Sequence, residues 1–323
     1  MPTYSIAMPV YRRTFGFREA LASAVKVEGC QEILVVDDHS EHDEFERIVE
    51  SCGSDKVRYL RNEANLGLFG NWNRGAELAT GEFVSILCSD DIIVAQAYEM
   101  FAAAYRADPQ LDVFFGSFCT FDEAIENAFT HRVYPAGPMD SLEFLARAVT
   151  QGAAFPVLTI TRRAKLLERP FVAKPHSGND WLWIYANASA FKLHAVAQPI
   201  SYWRRHPDQD AVHSSAVTTD CWPMLYQQVA QQLRAANHPL AGRALRRAKG
   251  VVLSWLLNDY VARTGYFPRL RGAEAQANPF LRAALEMVRQ DALLRCLLDS
   301  RPGGGVCREI GRVVRKIGYY PVT

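Results

Sequence analysis

Gly81-Glu-Phe-Val-Ser-Ile-Leu-Cys-Ser-Asp90-Asp91 is the stretch that decides the fold. A turn glycine leads into an apolar strand over Phe83 to Cys88, and the strand runs into two carboxylates. Adjacent aspartates are poor strand formers and poor core residues, so an apolar run that ends in them reads as a strand tip with a task. In open α/β sheets ligands gather at the carboxyl ends of strands. A hard cation bound beside a phosphate takes oxygen ligands of this kind. The competing reading is a solvated pair that caps a helix over Ile92 to Arg106. A second copy upstream tips the choice towards the strand tip: Gln31 to Val36 is another apolar strand, and it ends in Asp37-Asp38-His39-Ser40.

Working outward, Tyr4 to Val10 is a first strand stopped by Pro9-Val-Tyr11-Arg-Arg13, with a helix over Phe17 to Val27. Ser40 and the acids after it cap a helix over Phe45 to Ser51. Val57 to Leu60 is a third strand, and Arg61-Asn62-Glu-Ala-Asn65-Leu-Gly67 opens a helix through Trp72 to Ala79. A helix over Val94 to Ala107 follows the Asp pair. Strands that alternate with helices predict a right-handed, mostly parallel central sheet flanked by helices. Further strands are expected at Asp112 to Thr120, His131 to Tyr134 and Val157 to Thr161, with a helix at Ser141 to Val149. Pro175-His-Ser-Gly178-Asn-Asp180 delivers an acid to an aromatic helix over Trp181 to Ala188, and Phe191 to Ala197 with Ile200 to Trp203 close the set as a pair of strands. After about Val217 the character changes. Segments near 219–236, 241–264 and 279–299 are helical by pattern, so the expected division is a catalytic domain over 1–216 and an α-helical C-terminal extension over 217–323.

Composition bounds the function. The 323 residues are 49% apolar and 22% charged, an ordinary globular balance, and the formal net charge of +1 argues neither way on nucleic acid, so no nucleic-acid partner is expected. No apolar run approaches the roughly 18 residues that span a bilayer, and no leader is visible before the first strand. Seven cysteines without a close C-x-x-C pair suit a reduced, cytoplasmic protein. The tail is the exception: Arg301, Arg308, Arg312, Arg315 and Lys316 against Glu309 leave five minus one, +4, over the last 23 residues. Val306, Ile310, Val313, Val314 and Ile317 fall at near-helical spacing among them. This basic C-terminal helix could make a peripheral contact with the inner face of an anionic membrane, or pack its apolar stripe on the preceding helices.

Two lookalikes fail on order. A receiver domain carries its acidic pair after its first strand, whereas here a complete strand precedes Asp37-Asp38. A dinucleotide-binding fold needs a G-x-G-x-x-G where this chain has Pro9-Val-Tyr11. Over residues 3 to 214 the set resembles, in order, an inverting family 2 glycosyltransferase of the GT-A fold. Met8-Pro9-Val10-Tyr11 is similar to the first nucleotide loop of that family, whose tyrosine lies against the base; Arg12 and Arg13, which follow, could reach phosphate or be solvated surface arginines. Asp37-Asp38-His39-Ser40 resembles its Asp-Asp-x-Ser, which accepts hydrogen bonds from the base. Asn65-Leu-Gly67 and Asn73-Arg-Gly75 resemble its paired Asn-x-Gly elements. Asp90 falls on the metal position of its D-x-D, Asn179-Asp180 on the element whose Asp is the catalytic base, and Arg204-Arg-His206 on an Arg-x-His whose His approaches metal and diphosphate.

The resemblance implies a nucleotide-sugar donor of the UDP- or dTDP-sugar type, a carbohydrate or lipid-linked acceptor, a Mn²⁺ or Mg²⁺ cofactor at Asp90 and His206, and Asp180 as general base. Bacterial polysaccharide biosynthesis is its common setting. Two departures stand out. Cys88 replaces the first Asp of the D-x-D, so ribose contact falls to Ser89 or Asp91. Asn179 replaces the usual Glu, which removes a like charge and with it one reason for a raised Asp180 pKa. Those departures leave open a catalytically weak, nucleotide-sugar-binding scaffold. Asp180 could also be a plain helix cap, His206 a surface histidine, and Trp181, Trp183 and Tyr185 core residues rather than sugar platforms.

Overall fold

The computed structural model describes residues 2–132, 134–151, 156, 158–172, 178–207, 215–261 and 279–300. The basic tail over 301–323 lies outside them, as does part of the loop before Gly178.

β1 (Tyr4–Val10) is buried along its whole length, as an apolar run covered on both faces must be. It pairs in parallel with β2 (Cys30–Asp37) on one side and β4 (Phe83–Ile86) on the other, and β3 (Val57–Arg61) extends the sheet beyond β2. The sheet order is β3-β2-β1-β4-β9-β6-β10-β8. β9 (Ile160–Arg162) runs antiparallel between β4 and β6 (Val113–Phe121), while β10 (Leu193–Pro199) is parallel to β6 and β8 (Gly137–Met139) is an antiparallel edge. Helices α1 (Phe17–Val25), α2 (Glu44–Cys52), α3 (Leu68–Leu78) and α4 (Ala97–Ala107) alternate with the early strands. Ile6, Met8, Ile33, Val35, Phe83, Phe101 and Phe114 form the buried centre. The chain winds outward from β1 to β3, then returns to the other side of β1 as β4. That reversal opens a crevice beyond the carboxyl ends of β1 and β4.

The structure differs from the sequence reading around the acidic turn. β4 ends at Ile86, two residues early, and the helix expected at Val94 starts at Ala97. Between them lies β5 (Ile92–Ile93), which pairs antiparallel with β11 (Ser201–Arg204). Asp90-Asp91 is therefore a turn between two strands and not a helix cap. β10 and β11 do not pair with each other; they follow one another along β6, with Pro199 opposite Ser117 and Trp203 opposite Thr120. The short strand expected at His131 to Tyr134 is β7 (Phe129–Arg132), antiparallel to β6. A short helix, α6 (Arg163–Glu168), had no expectation behind it.

The chain groups into two compact units. One comprises Met1–Ser141, Ala154–Pro175 and Ala190–Gln209, and holds the sheet; the other comprises Leu142–Ala153, His176–Ser189 and Asp210–Thr323. The second is helical: α5 (Ser141–Gln151), α7 (Asn179–Asn187), α8 (Ser215–Ala235), α9 (Ala241–Val261), α10 (Pro279–Gln290) and α11 (Ala292–Ser300). The helix bearing Asp180 thus groups with the later helices. Within this unit Phe144 stacks on Tyr185 at 4.8 Å, and the Gln232 amide donates to the Tyr185 carbonyl at 2.7 Å. Trp183 and Tyr185 are core residues, while Trp181 is half-buried against Trp222 at 5.3 Å. The 279–299 segment breaks in two at Asp291, whose carboxylate accepts the Leu293 and Leu294 N–H groups and so caps α11.

Candidate active site

The acidic turn is held by strand pairing on both sides. The Leu87 N–H still donates to the Ala7 carbonyl at 2.8 Å, then the Asp91 N–H closes the turn on the Cys88 carbonyl at 3.2 Å. The β5–β11 ladder next fixes the turn against Arg204-Arg-His206. The two carboxylates consequently face different ways. Asp91 is 3% exposed and accepts the Arg204 backbone N–H at 2.9 Å; burial, then the Asp90 charge, push its carboxyl well above the usual carboxylate range. Asp90 stays partly open, with Oδ2 2.9 Å from His206 Nε2. Of the two, Asp90 is the carboxylate free to meet a ligand, and Asp91 is not placed to reach a ribose.

Arg204 organises this corner. Its Nε donates to the Asp90 carbonyl at 2.9 Å, its Nη2 pairs with Glu19 of α1, and its guanidinium lies 4.5 Å from the Phe121 ring centre and 5.7 Å from that of Phe15. Phe15, itself exposed, leans on His206 at 4.9 Å. Gly16 closes the corner with φ 76°, and a Cβ there would stand 3.0 Å from the Asp90 Cα, so glycine is required both by backbone angle and by space. The sequence motif singled out His206; it gave no sign of Glu19, Phe15 or the bonding of Arg204.

Asp90 and His206 offer one carboxylate oxygen and one imidazole nitrogen to a cation, and among the described residues no third His, Cys, Asp or Glu completes a protein-built cage. Two protein ligands fit a Mg²⁺ or Mn²⁺ that takes its remaining ligands from a donor's phosphates and water.

On the nucleotide side the residues divide by what they already bond. Asp37 is fully buried and accepts four donors: the Ser40 N–H and hydroxyl on Oδ1, the Tyr59 hydroxyl and Arg61 Nε on Oδ2. A carboxylate has about four acceptor sites, so none is left for a base. Asp37 instead holds the loop. Asn73 is similarly committed, exchanging two 2.9 Å hydrogen bonds with the backbone of Phe171. Asp38 takes the Asn62 amide and Leu66 N–H on Oδ1 and the Gly67 N–H on Oδ2, which leaves one acceptor site on Oδ2. Asn65 secures the same loop, its amide on the Asp38 carbonyl at 3.1 Å. Gly67, at φ 75° and ψ 168°, occupies backbone space open essentially to glycine alone and starts α3. Asn71, buried behind them, donates to the Val36 carbonyl and accepts from Asn62. Tyr11 stands 38% exposed at the end of β1 with the Arg12 guanidinium 4.9 Å over its ring. Pro9 is buried opposite Val36; Arg13 is exposed on the same loop, and Ser89 is half-buried in the acidic turn.

Asp180 sits in the first turn of α7, which opens on Gly178 at φ 95°. Burial raises its carboxyl to about 6 against the pull of backbone N–H bonds at Asp180 and Trp181. Asn179 removes one reason for a raised pKa, as the sequence suggests, but burial alone raises the carboxyl, and no like charge is involved.

Residues 5–168 match the model of the family described as "Glycosyl transferase family 2". The chain belongs to that family. It is a glycosyltransferase with a GT-A fold. An uncharacterised glycosyltransferase of Nostoc sp. is 25% identical over 74% of each chain. The Escherichia coli UDP-Glc:alpha-D-GlcNAc-diphosphoundecaprenol beta-1,3-glucosyltransferase WfgD is 33% identical over 30% of this chain and 38% of its own. Among solved structures, S. aureus TarS 1–349 superposes with a TM-score of 0.64 at 18% identity, covering 98% of this chain and 93% of that one. The same protein in complex with UDP-GlcNAc matches at TM-score 0.59 and 19% identity.

Proposed function

We propose that this glycosyltransferase moves a hexosyl unit, with inversion, from a UDP- or dTDP-sugar to a hydroxyl of a carbohydrate or lipid-linked acceptor. The observation that carries the proposal is the Asp90–His206 pair at 2.9 Å beyond the carboxyl ends of β1 and β4. Donor sugars and lipid-linked acceptors of this kind are named for the Escherichia coli relative, and a UDP-sugar for the S. aureus neighbour.

In this reading the free face of the Tyr11 ring stacks on the base, and the open Oδ2 site of Asp38 accepts the ring N–H that uracil and thymine share. Ser89 takes the ribose, and Arg13 the phosphates. A Mn²⁺ or Mg²⁺ held by Asp90 and His206 would supply positive charge to the departing diphosphate. Asp180 takes the proton of the acceptor hydroxyl as its oxygen bonds to the anomeric carbon and the bond from that carbon to the diphosphate breaks; nucleoside diphosphate leaves with the electron pair. A carboxylate near pH 6 suits that task at neutral pH, being ionised yet basic enough to accept. A lipid-linked acceptor would place the work at the inner face of the plasma membrane, with the 301–323 tail as the contact.

Calorimetry with UDP, with and without Mn²⁺, together with turnover of a UDP-sugar, tests the proposal. Metal-enhanced binding with turnover is expected. Binding that ignores metal, with no turnover, would replace it with a nucleotide-sugar-binding scaffold, the reading that Cys88 and Asn179 leave open.

A further inference from the structure

Helix α9 is basic over its first half, and its one acid, Asp259, lies near its C-terminal end. Arg243, Arg246, Arg247 and Lys249 lie on it, and no Asp or Glu occurs between His238 and Asn258. Lys249 is neutralised by Asp291 at 2.6 Å. Arg243 and Arg246 are exposed. Arg247 turns inward: it is 3% exposed, its Nε and Nη1 are buried with no hydrogen-bond acceptor among the described residues, and its guanidinium lies 6.0 Å from the Tyr226 ring centre. On the neighbouring helices Asp291 pairs with Lys249, and Glu286 accepts the Gln290 amide. Guanidinium groups are almost never buried without a partner, because the lost hydration is not returned, and a cation–π contact offsets only part of it.

The position of Arg247 suggests the missing anion. Tyr226 is 5.7 Å from Trp222, and Trp222 is 5.3 Å from Trp181, the residue after Asp180. Trp181 and Trp222 are both half-buried, so each offers ring surface of the kind sugars stack on. A run of aromatic rings thus leads from the residue beside Asp180 to a guanidinium whose Nε and Nη1 have no acceptor among the described residues. Planar guanidinium groups recognise phosphate by paired N–H bonds.

We propose that Arg247, flanked by Arg243 and Arg246, is a phosphate-binding subsite, and that the acceptor is a phosphate-bearing saccharide whose sugar lies along Trp181 and Trp222. The orientation of the acceptor rests on the reading of Asp180 as base; the anion site does not.

The test uses the full chain with pyrophosphate in the absence of metal, and an Asp90→Ala background to remove pyrophosphate binding at the donor site. Pyrophosphate should raise the Tm of wild type and of Asp90→Ala. Arg247→Met should raise the ligand-free Tm, because an unpaired buried charge is gone, and should abolish the pyrophosphate response while UDP affinity stays within twofold. The surface double variant Arg243→Gln/Arg246→Gln, which leaves the core untouched, should weaken pyrophosphate about 10-fold. Co-sedimentation with phosphatidylglycerol against phosphatidylcholine vesicles identifies the source of phosphate: capture by the former alone, lost in Arg247→Met, assigns the site to a lipid headgroup, and its absence assigns it to the acceptor. A ligand-free Tm that falls in Arg247→Met, with no pyrophosphate response in any form, would overturn the site. If Asp180→Asn keeps wild-type turnover while Arg247→Met still loses pyrophosphate, the acceptor's orientation falls and the anion site stands.

Discussion

Replacing Asp180 by Asn separates catalysis from stability at one atom. Burial holds the carboxyl at about 6 against an ordinary value of 3.8. Each unit is worth 1.36 kcal/mol, so the ionised side chain destabilises the folded protein by about 3 kcal/mol at pH 8. The folded pKa lies above the unfolded one, so this penalty is absent below pH ~4, grows as pH rises to ~6, and is complete above that. Asn is neutral throughout and can accept the same backbone N–H bonds. Asp180→Asn should therefore match wild type in stability near pH 4 and exceed it by up to about 3 kcal/mol at pH 8, a Tm gain of a few degrees for a chain of this size. Turnover should fall ~10²–10⁴-fold, as general-base loss typically requires, with UDP affinity unchanged. Wild-type kcat/KM should climb with pH to a plateau above about 6, and the variant should lack that limb. Denaturation at the two pH values, UDP calorimetry and a pH–rate profile make the comparison. A variant within a few-fold of wild-type turnover, or one less stable at pH 8, would refute the reasoning.

Asp90→Ala leaves His206 without its 2.9 Å partner; UDP binding should become the same with and without Mn²⁺, and turnover should drop beyond the ~10–100-fold typical of losing an outer-shell metal partner. Arg204→Lys keeps the charge, but one ammonium cannot reach the Asp90 carbonyl and Glu19 while lying between Phe15 and Phe121; kcat/KM should fall about 10-fold, ~1.4 kcal/mol, with the fold retained by circular dichroism. Glu32 tests the opposite end of the strands, near the start of β2. Burial pushes its carboxyl up, but hydrogen bonds from Thr80 and Ser5 and the charge of Arg58 bring it below its ordinary value. Its contribution is thus present above pH ~4.5 and lost as pH falls through the folded value. Glu32→Gln should cost about 1–2 kcal/mol at pH 7 and much less near pH 3, measured by urea denaturation, with turnover at pH 7 unchanged.

The strands of the sheet were legible because apolar runs and turn residues report directly which segments leave water. β1, β2 and β3 fall where Tyr4 to Val10, Gln31 to Val36 and Val57 to Leu60 place them, to within a residue or two at the ends. The helices after Val217 were legible for the same reason. Side-chain ionisation and bonding in the turns answer to segments distant along the chain, and periodicity carries no information on those. Nothing near Asp91 in sequence says that it turns inward; the cause is β11, which returns more than a hundred residues later to give it the Arg204 N–H. Asn73 looked like a nucleotide contact until Phe171 took both ends of its amide. Asp37 looked like half of a binding pair, and Ser40, Tyr59 and Arg61 consume it. Asp180 shows the point most sharply. Its sequence neighbour Asn179 removes one reason for a raised pKa, because neighbouring charge is the one cause of such a shift that can be read along a chain. Burial is the other main cause, and only packing reveals it. Arg247 follows the same logic in reverse: a basic run in the sequence reads as a solvated face, and it takes the packing of α9 on α8 to show that one of its arginines has left water without a partner.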